Sequence, residues 1–337
     1  SAMVRSPRQH SLTPPMQVEP VTASLPEGAS PRIATIFGLA GSSLVTVMFA
    51  AFFNFSAYFL TLAYPSLHAV ADTIGKGLID KDLVTPGVVF GALVGAMFWN
   101  VVTWLKGIPS SSSHALVGGI IGSGVAHAGF TGIKWGGLNK TLIAIVASPM
   151  IGMFLALMVM LVSSWALHKV TAKRAESSLK VLHLISSAAY SLSHGLNDAQ
   201  KTMGIITVLL YSTGYLHGDF EVPHWVAISC YIAMGLGTLS GGWKIIETMG
   251  NKITKLSQHQ GFSASLAGSI VVFTASTLGI PVSTTHTITG SIIGAGTARR
   301  ASAVRWGVAQ NVVTAWIITI PASALVGALF YSLTRLF

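Results

Sequence analysis

The sequence predicts an all-α polytopic membrane protein, an inverted-topology repeat whose broken, re-entrant helices meet near the membrane midplane. Three observations predict this fold class: the composition, a series of long uncharged runs and an internal duplication. Of the 337 residues, 51% are hydrophobic and only 9% are charged, whereas a soluble domain carries about 25% charged residues. A water-soluble globule is therefore not expected.

The uncharged runs indicate the membrane helices, because each exceeds the length of about 18 residues that marks a candidate spanning helix. They are Ile33 to Ala71, Leu83 to Leu105, Gly107 to Ile133, Leu142 to His168, Trp225 to Trp243, Gly261 to Ala298 and Trp306 to Thr334. The formal net charge of +10 comes from basic residues in the short connections between runs. This distribution favours cytoplasmic loops over a nucleic-acid surface.

Residues 1–31 contain six prolines and few large apolar side chains. Such a segment buries too little surface to fold alone, so we expect a disordered proline-rich tail. The single cysteine, Cys230, lies within an apolar run and excludes both a disulfide framework and a cysteine metal site.

The internal duplication is read from one motif and the residues after it. Gly-Ile-Pro-Ser-Ser-Ser-Ser-His at 107–114 recurs 172 positions later as Gly-Ile-Pro-Val-Ser-Thr-Thr-His at 279–286. Gly118 and Gly122 then match Gly290 and Gly294, and two prolines match at the same offset, Pro149 and Pro321. We therefore predict a first transmembrane repeat at 32–168, a basic cytoplasmic loop at 169–180 and a second repeat at 181–337.

Loop charges predict that the two repeats are inverted. The connections 169–180 and 299–305 are rich in Lys and Arg, which places them in the cytoplasm, whereas the weakly charged connection 127–140 is one crossing away from 169–180. Since 127–140 is the repeat counterpart of 299–305, equivalent loops lie on opposite sides of the membrane. Inverted repeats of this kind are typical of secondary transporters.

The Gly-Ile-Pro motifs predict broken helices that hold an anion. Proline ends one helix, and Ser or Thr after it caps the next, whose first N–H groups then face an anion at a positive dipole end. Helix capping or packing alone is the alternative. The candidate anion-binding residues are Ser111, Ser112, Ser113, Ser283, Thr284 and Thr285. His114 and His286 are accessory candidates that donate to the anion or carry a proton, or are neutral histidines bonded to backbone carbonyls.

A charged motif inside an apolar stretch predicts the coupling site. Asp198 and Lys201 are the only charges between Val181 and Gly218, and each costs about 2.5 to 3.5 kcal/mol in a membrane. Gly195 would permit local unwinding of the helix. Asn197 and Asp198 would then be the metal ligands of a bound Na⁺, or Asp198 would bind a proton instead. The alternative is a structural Asp198–Lys201 pair. Accessory candidates are Gln200, Lys201 and Thr202.

These motifs identify a family resemblance. The segment His194 to Thr202, His-Gly-Leu-Asn-Asp-Ala-Gln-Lys-Thr, resembles the second-half signature of the inorganic phosphate transporter (PiT) family, and both Gly-Ile-Pro motifs match as well. The resemblance implies secondary active symport of inorganic phosphate with Na⁺ or H⁺ as the coupling ion, no cofactor, and a multi-pass protein of a plasma or bacterial inner membrane.

One departure from the family pattern concerns the first repeat. Family members carry the Asn-Asp signature in each half, but the offset leads to residues 24–28, Ser-Leu-Pro-Glu-Gly, and Asn54 lies too far along without an acidic neighbour. We therefore expect an N-terminally incomplete first repeat that lacks half of the cation site. The alternatives are a permease for sulfate or another tetrahedral oxyanion, or a non-transporting phosphate-binding membrane protein.

An enzyme is not expected, because the sequence contains no nucleophile elbow, no metal-ligand spacing and no Gly-rich phosphate loop ending in Lys-Ser/Thr. The expected partners are inorganic phosphate, membrane lipid and, in a homodimer, a second copy of the chain, with no nucleic acid.

Overall fold

The computed structural model describes residues 31–78, 80 and 83–336, with side chains from residue 44 onward except at position 243. The predicted disordered tail at 1–31 lies outside the described residues apart from Pro31, where the first helix begins.

Eleven α-helices follow one another in the described part of the chain, and it contains no strand. They are α1 Pro31–Ala63, α2 Ala69–Gly77, α3 Pro86–Lys106, α4 Ser112–Ala128, α5 Trp135–Leu167, α6 Ala172–Ser212, α7 His224–Leu239, α8 Trp243–Glu247, α9 Gln258–Thr277, α10 Thr284–Arg299 and α11 Trp306–Thr334. A π-helical turn, Thr248–Lys252, continues α8. The predicted all-α class is confirmed.

Five helical segments of the described residues are long and apolar enough to cross a membrane, and six if a bent pair counts as one span. The five are Leu44–Ala63 of α1, α3, Ser112–Gly132 with α4, α5 and α11. The bent pair is α7 with the following segment Lys244–Lys252, at an angle of 69°. The chain is thus a multi-pass membrane protein.

The helix ends at both Gly-Ile-Pro motifs have the same geometry. Gly107 after α3 has φ 67°, and Gly279 after α9 has φ 68°. The next N–H group reaches back five residues in each case, from Ile108 to the carbonyl of Thr103 at 2.9 Å and from Ile280 to that of Ala275 at 2.8 Å. This is a Schellman-type ending, in which glycine accepts the left-handed conformation. Glycine, rather than the proline two residues later, therefore ends each preceding helix.

We call residues 107–111 the first break and residues 279–283 the second break. The helix that follows each break packs against the other half of the chain, α4 on α11 and α10 on α5. Glycines make both contacts close: a Cβ at Gly122 would collide with the Ala324 carbonyl, and one at Gly294 with the Met153 carbonyl. Each of these helices thus packs against a helix of the other predicted repeat, and both the division into repeats and their inverted orientation stay predictions.

Helix α6 carries the charged motif and differs from the sequence expectation at two points. It begins at Ala172, so most of the basic segment 169–180 is helical. It also continues through Gly195, and the expected local unwinding there is wrong. Gly195 serves close packing instead, because a Cβ at that position would collide with the backbone carbonyl of Asn54 in α1.

Candidate functional site

The N-termini of α4 and α10 have matching caps. The Ser111 hydroxyl accepts a hydrogen bond from the His114 N–H at 3.2 Å, and the Ser283 hydroxyl accepts one from the His286 N–H at 3.2 Å. Both serines are buried N-cap residues in extended conformation. Because such a cap fixes the first turn and its unpaired N–H groups, both helices present positive ends at the breaks.

Helices α4, α6 and α10 and the second break meet at the residues beside these caps. The Ser113 hydroxyl donates to the Val282 carbonyl at 3.1 Å, which joins α4 to the second break. The Thr284 hydroxyl donates to Oδ2 of Asp198 at 3.1 Å. Of the six predicted anion-binding residues, Ser113 and Thr284 therefore make the contacts of this cluster, whereas Ser112 is exposed and Thr285 half-buried.

Lys201 lies at the centre of the cluster. Its Nζ donates to Ser113 Oγ at 2.5 Å, to Asp198 Oδ1 at 2.6 Å and to the Val282 carbonyl at 2.7 Å. An ammonium group has three protons, so all of them are used. The Asp198–Lys201 pair considered from the sequence is thus present, and the lysine also donates to Ser113 of α4 and to Val282 of the second break.

Asn197, the other predicted coupling residue, is fully buried next to this pair. Its Nδ2 donates to Ser276 Oγ at 2.9 Å. Its Oδ1 has no hydrogen-bond partner among the described residues. A buried amide oxygen without a donor has a desolvation cost of about 1 to 3 kcal/mol, which a bound cation would remove.

Sequence reasoning missed the partner of His194, which is Asn54. Thr238 donates to the Met234 carbonyl at 2.8 Å and accepts from Asn54 Nδ2 at 3.0 Å. Asn54 therefore turns its Oδ1 to His194 Nδ1 at 3.0 Å, and that nitrogen must carry a proton. The other ring nitrogen, Nε2, lies 3.3 Å from Asp198 Oδ2. A polar residue within a long apolar run was the available signal for Asn54.

Two accessory candidates lie apart from the cluster. Gln200 caps α2: its Oε1 accepts from the N–H groups of Val70 and Ala71 at 3.1 and 3.3 Å, and its Nε2 donates to the Leu67 carbonyl at 2.6 Å. Thr202 is exposed. Gln200 is therefore a structural residue that holds α2 against α6.

His114 and His286 form a second contact between the two broken helices. Their ring centroids are 4.3 Å apart, and His286 stacks on Trp316 at 3.7 Å. The Trp316 indole in turn donates to the Pro109 carbonyl at 3.1 Å. Neither histidine side chain bonds to a carbonyl through Nε2 within the described residues, so the backbone-bonded alternative does not hold for this nitrogen.

The cluster has the chemistry of an anion site beside a cation site. Two positive helix ends, two hydroxyl groups and the Lys201 ammonium suit an oxyanion, while Asp198 and the free Asn197 oxygen suit a cation. No group of three or more His, Cys, Asp or Glu side chains suited to a metal occurs among the described residues.

Comparisons with known proteins agree on one family. A sequence model of the phosphate transporter family matches residues 29–327. A probable low-affinity inorganic phosphate transporter of Rhizobium meliloti (strain 1021) is 58% identical over 285 residues, covering 85% of this chain and 84% of that protein. The protein of the same description from Bacillus subtilis (strain 168) is 40% identical over 264 residues, covering 78% and 79% of the two chains. A solved structure described as the sodium-dependent phosphate transporter has a TM-score of 0.75 at 24% identity, over 86% of this chain and 90% of that one, and supports the fold.

Proposed function

We propose, from the premise that this chain belongs to the phosphate transporter family, that it carries inorganic phosphate across the membrane in symport with a cation bound at Asp198. The observation that carries the proposal is the position of Lys201, which bonds at once to Asp198, to Ser113 of α4 and to Val282 of the second break.

Coupling follows from the three protons of this ammonium group. Phosphate that binds at the helix ends competes with Asp198 for Lys201, because no proton of the lysine is free. Once released, the Asp198 carboxylate lies buried beside an anion and repels it. A cation on Asp198 removes that repulsion. Phosphate and cation therefore stabilise one another, and neither enters the membrane alone at low free-energy cost.

The hydrogen-bond network favours a proton as the cation. His194 Nδ1 already donates to Asn54, so Nε2 faces the Asp198 oxygen as a donor only if one further proton is bound. A proton bound there would lie between the imidazole nitrogen and the carboxylate oxygen, which are 3.3 Å apart. Sodium remains the second candidate, since the free Oδ1 of Asn197 and the carboxylate of Asp198 are hard oxygen ligands of the kind that small cations prefer.

Uptake of radiolabelled phosphate into proteoliposomes tests the proposal. With the interior alkaline and no Na⁺ present, we expect accumulation that collapses when a protonophore is added. Accumulation driven by a Na⁺ gradient but not by a pH gradient would assign the coupling to sodium. Bound phosphate without uptake under either gradient would contradict transport and favour the phosphate-binding alternative.

Substrate choice needs its own measurement, because hydroxyl and ammonium donors suit any tetrahedral oxyanion. We expect a tenfold excess of unlabelled phosphate to abolish labelled uptake, while the same excess of sulfate leaves most of it. Equal competition by the two anions would extend the substrate class to sulfate.

A further inference from the structure

The second break is held by a threonine of α2. Gly279 packs against the start of this helix: a Cβ at Gly279 would lie 3.0 Å from the Ala69 carbonyl oxygen. One turn further along α2, Thr73 Oγ1 lies 2.7 Å from the Gly279 carbonyl and 3.1 Å from that of Ala69.

The first break has the same arrangement with α8 and the π-helical turn after it. Gly107 packs against Lys244, since a Cβ at Gly107 would lie 2.7 Å from the Lys244 Cβ. Four residues further on, Thr248 Oγ1 lies 2.9 Å from the Lys244 carbonyl and 3.2 Å from that of Gly107. In both halves a helix residue packs on the left-handed glycine, and a threonine four positions later reaches the glycine carbonyl.

A hydroxyl group has one proton to donate, and each of these threonines faces two acceptors. Bonding to the carbonyl four residues back is common for threonine in helices, whereas the bond to a glycine of another segment links two elements. The shorter distance is to the break for Thr73 and to its own helix for Thr248. Each threonine is thus within hydrogen-bond distance of both acceptors and shares its single proton between its own helix and its break.

We propose that Thr73 and Thr248 are positioning residues that hold the second and first breaks, each by a hydrogen bond to the glycine carbonyl that competes with the bond to its own helix. The proposal rests on the transport function proposed above. It adds two residues, outside the ion and anion site, that set which break is free to move.

The link to the site runs through the second break. Val282, three residues after Gly279, offers its carbonyl to both Lys201 and Ser113. A displacement of the Gly279 carbonyl on release by Thr73 therefore moves an acceptor of the central ammonium group. Because a single hydrogen bond contributes about 0.5 to 1.5 kcal/mol net, its exchange changes the population of two arrangements without locking either.

The surroundings of Thr73 make its state measurable. A cavity of about 590 Å³ lies beside it, lined by Gly279, Ile280 and Pro281 of the second break and by Lys76 and Lys140. Ile280 is half-buried, as is Ile108 at the matching position of the first break. Cysteines introduced at these two positions report how often each break opens.

The experiment measures maleimide labelling of Ile280→Cys and Ile108→Cys, each in a Cys230→Ala background. We expect Thr73→Val to raise the labelling rate at position 280 about two- to tenfold, the range that corresponds to one hydrogen bond, and to leave position 108 unchanged or slower. Thr248→Val should act chiefly at position 108. Thr73→Ser and Thr248→Ser keep the donor and should restore the original rates.

Thr314→Val is the matched control, because Thr314 donates to its own helix at 3.0 Å and is exposed; it should change neither rate. Unchanged labelling in both valine variants, or an equal rise at both reporters, would overturn the proposal. Phosphate should slow labelling at both reporters. If the valine variants act as expected but phosphate has no effect, the positioning role of Thr73 and Thr248 stands and the proposed function fails.

Discussion

Each proton of the Lys201 ammonium group has its own acceptor, and the acceptors belong to α6, α4 and the second break. A buried charge with this many partners is stable only while they stay in place, since an unpaired charge in a low-dielectric interior is costly. At the residue scale the cluster is therefore a structural junction as well as the proposed binding site.

This junction predicts a non-additive effect on stability. Lys201→Met leaves the Asp198 carboxylate with His194 and Thr284 alone, and we expect a loss of about 3 to 5 kcal/mol. The double variant Lys201→Met with Asp198→Asn should recover part of it, because no buried charge remains. Thermal unfolding of the purified variants in detergent measures both values, and a double variant less stable than Lys201→Met would contradict the explanation.

A second residue-scale prediction concerns Gln200. Gln200→Leu removes the cap from two N–H groups of α2 and should lower stability by about 1 to 3 kcal/mol. Faster amide hydrogen exchange at Val70 and Ala71 would locate the effect. Phosphate affinity should stay within twofold of that of the unchanged protein. A larger loss would indicate that Gln200 takes part in phosphate binding.

At the scale of elements, the sequence motifs predicted the two breaks because glycine, proline and serine have strong local preferences. Other features depend on contacts between distant segments. Gly195 was interpreted as a point of unwinding, but in a packed helix a glycine also admits a neighbouring backbone, and only the position of Asn54 decides between the two. Asn54 has no acidic neighbour in the sequence. In the structure it is linked to Asp198 through His194, which contacts both residues.

The glycine contacts between elements give a third prediction. Gly122→Ala drives a methyl group into the Ala324 carbonyl of α11, and we expect a loss of at least about 1 to 3 kcal/mol. Gly237→Ala is the control, because Gly237 of α7 has nothing near the added Cβ and alanine favours helix by up to about 1 kcal/mol. Yield of folded protein after detergent extraction compares the two, and equal yields would contradict the proposed contact.

At the scale of the whole molecule, the hydrogen-bond network joins α1, α4, α6, α7 and the second break through Asn54, His194 and Lys201. Composition predicted a membrane protein, which membership of the phosphate transporter family supports, whereas the division into two repeats stays a prediction. The packing of α4 on α11 and of α10 on α5 could not be predicted. The matching glycines indicate that a close helix contact exists, but the sequence does not show which helix makes it.

The network predicts how the proposed coupling would fail when Asp198 is neutralised. Asp198→Asn removes the need for a cation, so phosphate exchange across the membrane should persist while accumulation against a gradient is lost. Comparing labelled-phosphate counterflow with pH-driven uptake in proteoliposomes separates these steps. Loss of counterflow with phosphate binding also abolished would instead assign Asp198 directly to the anion.

The packing of α4 on α11 also constrains biosynthesis. The ribosome synthesises α4 before α11, and α5 to α10 lie between them in the chain. Until α11 is made, α4 lies in the membrane without the helix that its glycines contact. During this interval the small residues of α4 are free to contact lipid chains or other membrane proteins instead of α11. The contact between α4 and α11 therefore forms late in synthesis, and a nascent chain arrested before α11 should be degraded faster than the full-length chain.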